Sequence, residues 1–74
     1  MDMAEATDLR FRFEAIPGVR FGLNEPVVIT TGPLRGQAGY TISLLQLSPE
    51  PAYLVELSAN GKDVQVRQSE LDTA

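Results

Sequence analysis

The sequence predicts an all-β domain, folded as a small barrel of about five short antiparallel strands. Apolar and polar residues alternate over several short segments, and glycine or proline interrupts these segments about every ten residues. No segment carries a convincing helical stripe. With 74 residues the chain forms one small domain, and its core holds the fold without disulfides because cysteine is absent.

Residues 9–15 are predicted as a strand added ahead of the barrel, following a flexible N-terminus over residues 1–7. One face of this strand is apolar and consists of Leu9, Phe11, Phe13 and Ala15. A helix is the alternative, since Leu9, Phe13 and Ile16 also share one helical face that Thr7 or Asp8 could cap.

Residues 16–19 place proline and glycine at the two central positions that a type II turn prefers. Alternation then resumes at Val19, Phe21 and Leu23, and predicts a second added strand over residues 19–23. If both added segments are strands, an N-terminal strand or hairpin extends the barrel.

The central stretch, residues 27–44, predicts a strand, a glycine-rich loop and another strand. Val27 and Ile29 alternate with Val28 and Thr30, and all four are β-branched residues that favour a pleated surface. Turn residues follow and predict the loop: Gly32, Pro33, Gly36 and Gly39. The apolar face of the second strand is predicted to consist of Ala38, Tyr40, Ile42 and Leu44.

Leu45 and Leu47 lie on the opposite parity from Leu44, which predicts a bulge or a strong bend. Pro49 and Pro51 cannot donate ladder hydrogen bonds and predict a loop tip.

The C-terminal third predicts a hairpin followed by a short final turn. Tyr53, Val55 and Leu57 alternate, Asn60-Gly61 favours a hairpin, and residues 63–67 alternate again. Residues 69–71 predict a turn that lays a leucine on the end of the barrel. The domain is therefore expected to span residues 8–71, with a frayed, flexible tail over residues 72–74.

The spacing of Gly32, Pro33, Gly36 and Gly39 resembles the KOW motif, which occurs in SH3-like barrels of transcription elongation factors and several ribosomal proteins. The resemblance covers about residues 25–71 and implies an SH3-like barrel. It also implies contact with RNA, DNA or a nucleoprotein machine. KOW domains usually carry an aliphatic residue two positions after the last glycine, where this chain has Thr41.

The composition argues against catalysis. Histidine and cysteine are absent, which removes the imidazole base, the thiolate nucleophile and the ordinary zinc ligands. The ten carboxylates are scattered singly, and no Gly-Lys-Ser/Thr follows the glycine-rich loop. The chain is therefore expected to be a non-catalytic binding protein that needs no cofactor or metal.

A protein partner is the first expectation, because a net charge of −4 disfavours binding to phosphate. Tyr40 and Tyr53 are the candidate contacts, and their alternative is a place in the core with the hydroxyl at the surface. Val28, Leu45 and Leu47 are candidates for an exposed apolar patch, such as an accessory subunit of a larger assembly would have.

A nucleic acid or ribonucleoprotein is the alternative partner. Its candidate contacts are the arginines Arg10, Arg12, Arg20 and Arg35. The competing interpretation is that these arginines are solvated strand residues paired with Glu14, Glu25 or Glu56. No apolar run approaches the roughly 20 residues of a membrane span, so a soluble cytoplasmic protein is expected.

Overall fold

A computed structural model of the chain describes residues 16–74, which contain five antiparallel strands in one sheet. The expected flexible N-terminus and the predicted strand or helix over residues 9–15 lie outside the described residues. The strands are β1 (Pro26–Ile29), β2 (Ala38–Gln46), β3 (Ala52–Leu57), β4 (Asp63–Arg67) and β5 (Leu71–Thr73), and a 3₁₀ helix (Gln68–Glu70) precedes β5. The spatial order is β4-β3-β2-β1-β5, so β4 and β5 are the edges. The all-β class is confirmed.

The core lies on one face of this sheet. Alternation on β1 buries Val27 and Ile29, and Leu71 follows the 3₁₀ helix into the same core, as predicted for the final turn. Phe21 reaches the core from the segment before β1, and its ring meets Tyr53 edge to face with 5.6 Å between centroids. The buried apolar cluster consists of Phe21, Val27, Ile29, Leu44, Tyr53, Val55, Leu57, Val66 and Leu71.

The predicted inner face of β2 is wrong at its first positions. Gly39 and Thr41 face the core, whereas Tyr40 is exposed. Two bulges explain the change of parity along the strand, because Ile42 and Leu45 are each an extra residue in the pairing with β3. The first bulge returns Leu44 to the core, and the second is the irregularity predicted near Leu45.

The strand predicted over residues 19–23 is wrong, because this segment is irregular and ends in a turn at Leu23 and Asn24. Its backbone groups bind side chains rather than a neighbouring strand. The Arg20 N–H donates to Oε1 of Gln68 over 2.9 Å, and the Gly22 carbonyl accepts from the Thr41 hydroxyl.

The turns predicted at residues 16–19 and at Asn60-Gly61 are present. The Val19 N–H donates to the Ile16 carbonyl over 2.9 Å and Gly18 has φ +84°, the marks of the predicted type II turn. The Asn60-Gly61 hairpin joins β3 to β4, and Oδ1 of Asn60 accepts from the Lys62 N–H over 3.0 Å.

Two residues of the expected C-terminal tail belong to the sheet instead. Asp72 lies opposite Val28 and Thr73 opposite Val27, within the antiparallel pairing of β5 with β1. The alternation of apolar and polar residues could not predict this strand, because three residues are too few to show a period of two.

Candidate functional site

The face of the sheet opposite the core carries apolar side chains on three adjacent strands. Tyr40 lies opposite Pro26 of β1, and Val28 lies opposite Ala38, so these residues are direct cross-strand neighbours. Each of them alternates with residues that point into the core. The outer apolar face consists of Pro26, Val28, Ala38, Tyr40, Ile42, Leu45 and Leu54.

The first bulge of β2 brings Ile42 onto this face. Thr41 pairs with Val55 and Ser43 pairs with Leu54, so Ile42 is the extra residue between two pairs. Thr41 and Leu44 are buried while Ile42 and Ser43 are half-buried, as expected when two consecutive residues face outward. Ile42 therefore lies on the same side as Leu54, and cross-strand neighbours of this kind contact one another.

Exposure is greatest along β2. Tyr40 is 48% exposed and Leu45 44% exposed, which is unusual for large apolar side chains in the middle of a sheet. Leu47 is equally exposed but lies beyond the end of β2. Of the predicted patch candidates, Val28 and Leu45 share one face with Tyr40, whereas Leu47 does not belong to it.

Carboxylates border the outer apolar face. Glu56 of β3 lies opposite Tyr40, and Asp63 of β4 lies opposite Glu56, so a tyrosine and two carboxylates form one row across three strands. Both carboxylate residues are exposed. Asp72 flanks the other side, opposite Val28.

Tyr53 is not a surface contact. Its side chain is fully buried against Phe21, and its hydroxyl donates to Oε1 of Gln68. Burial raises the pKa of this phenol, and backbone hydrogen bonding at Phe21 and Arg20 partly opposes the rise. The alternative that placed Tyr53 in the core describes it correctly, whereas Tyr40 is the exposed tyrosine.

The structure gives Arg20 and Arg35 different surroundings, and Arg10 and Arg12 lie outside the described residues. Arg20 lies over the Phe21 ring at 4.8 Å and pairs with Asp72 over 3.3 Å, a carboxylate other than the three expected from the sequence. Arg35 is exposed in the glycine-rich loop and, among residues 16–74, has no ion pair.

A shallow depression of about 140 Å³ lies between the glycine-rich loop and β4. Its walls are Ile29, Thr31, Gly32, Pro33, Leu34, Gln65, Val66 and Glu70. Ligand pockets usually occupy about 300–1,000 Å³, so this depression is too small for a cofactor-sized molecule.

Glu70, on the wall of this depression, is held by Arg67. Both carboxylate oxygens of Glu70 accept from the guanidinium over 3.4 Å, and the Arg67 N–H adds a third hydrogen bond of 3.2 Å. These bonds hold the pKa of Glu70 below its ordinary value. The pair links the end of β4 to the last residue of the 3₁₀ helix.

Within residues 16–74, no group of three or more acidic side chains is placed to hold a metal ion. Nor does any helix in this part of the chain have the length and apolar character needed to cross a membrane.

No family model matches this sequence, and a search of curated proteins found no significant relative. The case for a function therefore depends on the geometry described above.

Sequence reasoning missed three residues of the outer row and face: Ile42, Leu54 and Asp63. The alternation in β2 predicts that Ile42 faces inward, and Leu54 lies between two predicted core residues. The like-charged pair at Glu56 and Asp63 could have been found by folding the sequence about the Asn60-Gly61 turn, which places these two residues close together.

Proposed function

We propose that this chain is an SH3-like barrel of the KOW type that acts as a non-catalytic protein-binding module. The strand order, the short loops and the 3₁₀ helix immediately before β5 support the fold assignment. The glycine-rich loop between β1 and β2, which contains Gly32, Pro33 and Gly36, supports the KOW type.

The observation that carries the proposal is the outer apolar face. Single exposed apolar residues are ordinary, but apolar side chains that share one face of three adjacent strands are typical of an interaction site. Tyr40 fits this role, because tyrosine contributes a large contact area and is enriched at protein interfaces.

Charge favours a protein over a nucleic acid. Three carboxylates border the face, at Glu56, Asp63 and Asp72. Binding to phosphate gains its affinity from several clustered cations. Within residues 16–74, Arg20 and Arg67 are already paired with carboxylates, which leaves Arg35 and Lys62. Nucleic-acid binding through Arg35 is the alternative function.

Site-specific photo-crosslinking in the full chain tests the proposal. A benzophenone amino acid replaces Tyr40 in one protein and Arg35 in another, and both are irradiated in lysate of the source cells. We expect a discrete protein adduct from position 40. A nucleic-acid adduct from position 35, sensitive to nuclease and to salt, would support the alternative instead.

Leu45→Lys and Leu47→Lys provide the matched pair of control variants, since both leucines are 44% exposed and only Leu45 belongs to the face. Leu45→Lys should abolish the adduct from position 40, and Leu47→Lys should retain it. The proposal fails if position 40 yields no adduct, or if the two leucine variants behave alike.

A further inference from the structure

The row of Tyr40, Glu56 and Asp63 carries two carboxylates that form no ion pair within residues 16–74. Glu56 and Asp63 are direct partners in the β3–β4 pairing, and like charges in that position destabilise a sheet. The ion pairs found within residues 16–74 join Arg20 to Asp72 and Arg67 to Glu70. Neither of them involves Glu56 or Asp63.

A cation supplied from outside would relieve this repulsion. An arginine or lysine head placed beside Glu56 and Asp63 gains attraction from two carboxylates at once. The same position lies next to the Tyr40 ring, which attracts cations to its face, and the aliphatic stem of the cationic side chain can cover apolar surface.

We propose that the outer apolar face binds a basic protein segment in which apolar side chains flank an arginine or lysine. The basic head lies at Glu56 and Asp63, and the apolar side chains cover Tyr40, Ile42 and Leu54. This inference deepens the proposed function and rests on it, because it names the chemistry of the partner that the outer apolar face recognises.

The same charges argue against two other occupants. A second copy of this chain would bring its own Glu56 and Asp63 to the interface, and like charges would face each other. A nucleic acid would place phosphates against these carboxylates and against Asp72. A basic, partly apolar protein segment matches both the carboxylates and the apolar side chains of the face.

Fluorescence anisotropy with two synthetic peptides tests the inference on the full chain. In the first labelled peptide leucine alternates with arginine, and in the second glutamate replaces arginine. We expect the arginine peptide to bind and the glutamate peptide not to bind. Glu56→Gln should weaken binding about threefold, and the double variant Glu56→Gln/Asp63→Asn about tenfold.

Ser48→Lys is the matched control, because it changes the net charge by the same amount as Glu56→Gln at an exposed loop position outside the face. Its affinity for the arginine peptide should stay within about twofold of that of the unmodified chain. Thermal unfolding establishes that each variant is folded, and Glu56→Gln should unfold at an equal or higher temperature because it removes a repulsion.

The inference is overturned if the arginine peptide does not bind, or if Ser48→Lys weakens binding as much as Glu56→Gln does. Repeating the crosslinking from position 40 in the double variant separates the two proposals. An undiminished protein adduct there would leave the binding face standing and refute its preference for a basic partner.

Discussion

Thr41 joins the segment before β1 to the middle of β2. Its hydroxyl donates to the Gly22 carbonyl and accepts from the Glu25 N–H over 2.9 Å. Its backbone carbonyl accepts from the Asn24 N–H over 2.6 Å, and its N–H donates to the Glu25 carbonyl over 3.1 Å. This position therefore fixes a polar loop as well as filling the core.

Thr41→Val should destabilise the fold although it preserves the shape of the side chain. The valine leaves the Gly22 carbonyl and the Glu25 N–H without the hydroxyl, and such losses cost about 1–3 kcal/mol. Urea unfolding measures the change in the free energy of unfolding. Thr41→Ser keeps the hydroxyl and should cost less, so a valine variant as stable as the serine variant would contradict this role.

Gln68 connects three parts of the molecule with one side chain. Its Nε2 donates to the Gly18 carbonyl over 2.8 Å, and its Oε1 accepts from the Arg20 N–H and from the Tyr53 hydroxyl. These bonds explain why the segment before β1 is ordered without being a strand. Nothing in the periodicity of the sequence marks Gln68 for this role.

At the scale of elements, β2 has side chains that face the core and side chains that face outward. Its close contact with β3 depends on Gly39. A Cβ built at Gly39 would lie 2.9 Å from Cγ1 of Val55 and would overlap the carbonyl oxygen of Glu56. The backbone oxygen cannot rotate away as a flexible side chain could. Strand packing therefore requires glycine at position 39.

Gly39→Ala should destabilise the protein by about 1–3 kcal/mol, because the two strands must separate to admit the methyl group. Denaturant unfolding gives the size of the effect, and amide hydrogen exchange should show its largest increase in β2 and β3. Gly22→Ala is the comparison variant, since its nearest atom is Oε1 of Glu25 at 3.9 Å. Its effect should stay within about 0.5 kcal/mol. Equal losses in the two variants would argue against a packing role for Gly39.

For the molecule as a whole, burial of Tyr53 links stability to alkaline pH. The raised pKa means that the folded state retains the phenolic proton to higher pH than the unfolded chain does. In the unfolded chain tyrosine has a pKa of about 10. The stabilisation from this group is complete below that value and is lost as the pH rises through the folded pKa.

Tyr53→Phe should remove this pH dependence. Above pH of about 10, the free energy of unfolding of the unmodified chain should fall more steeply than that of the variant, by up to about 1.4 kcal/mol per pH unit. Urea titrations between neutral and alkaline pH measure both slopes. Only the slopes of the two curves are compared, because the variant also loses the hydrogen bond to Gln68 and so differs in stability at every pH. Parallel curves would show that ionisation of Tyr53 does not cause the loss of stability at alkaline pH.

Much of the fold could be predicted because its signals are local. The alternation at Val27 and Ile29 and the turns at residues 16–19 and at Asn60-Gly61 each depend on neighbouring residues. The proposed binding face can be predicted from the sequence only in part. The sequence marks Tyr40, Val28 and Leu45 as candidates, yet their common face depends on pairing between strands.

By itself, the sequence determined the all-β class, the hairpins and the identity of most core residues, because period-two alternation and turn chemistry act over a few residues. Tertiary structure alone decided which face of β2 is buried, that residues 19–23 form an anchored loop, and that residues 71–73 form an edge strand. In each case the physical reason is an interaction between distant parts of the chain, and residues 71–73 form a strand because they pair with β1. One inserted residue reverses the direction of the side chains that follow, and the hydrogen bonds of Thr41 and Gln68 join residues far apart in the chain.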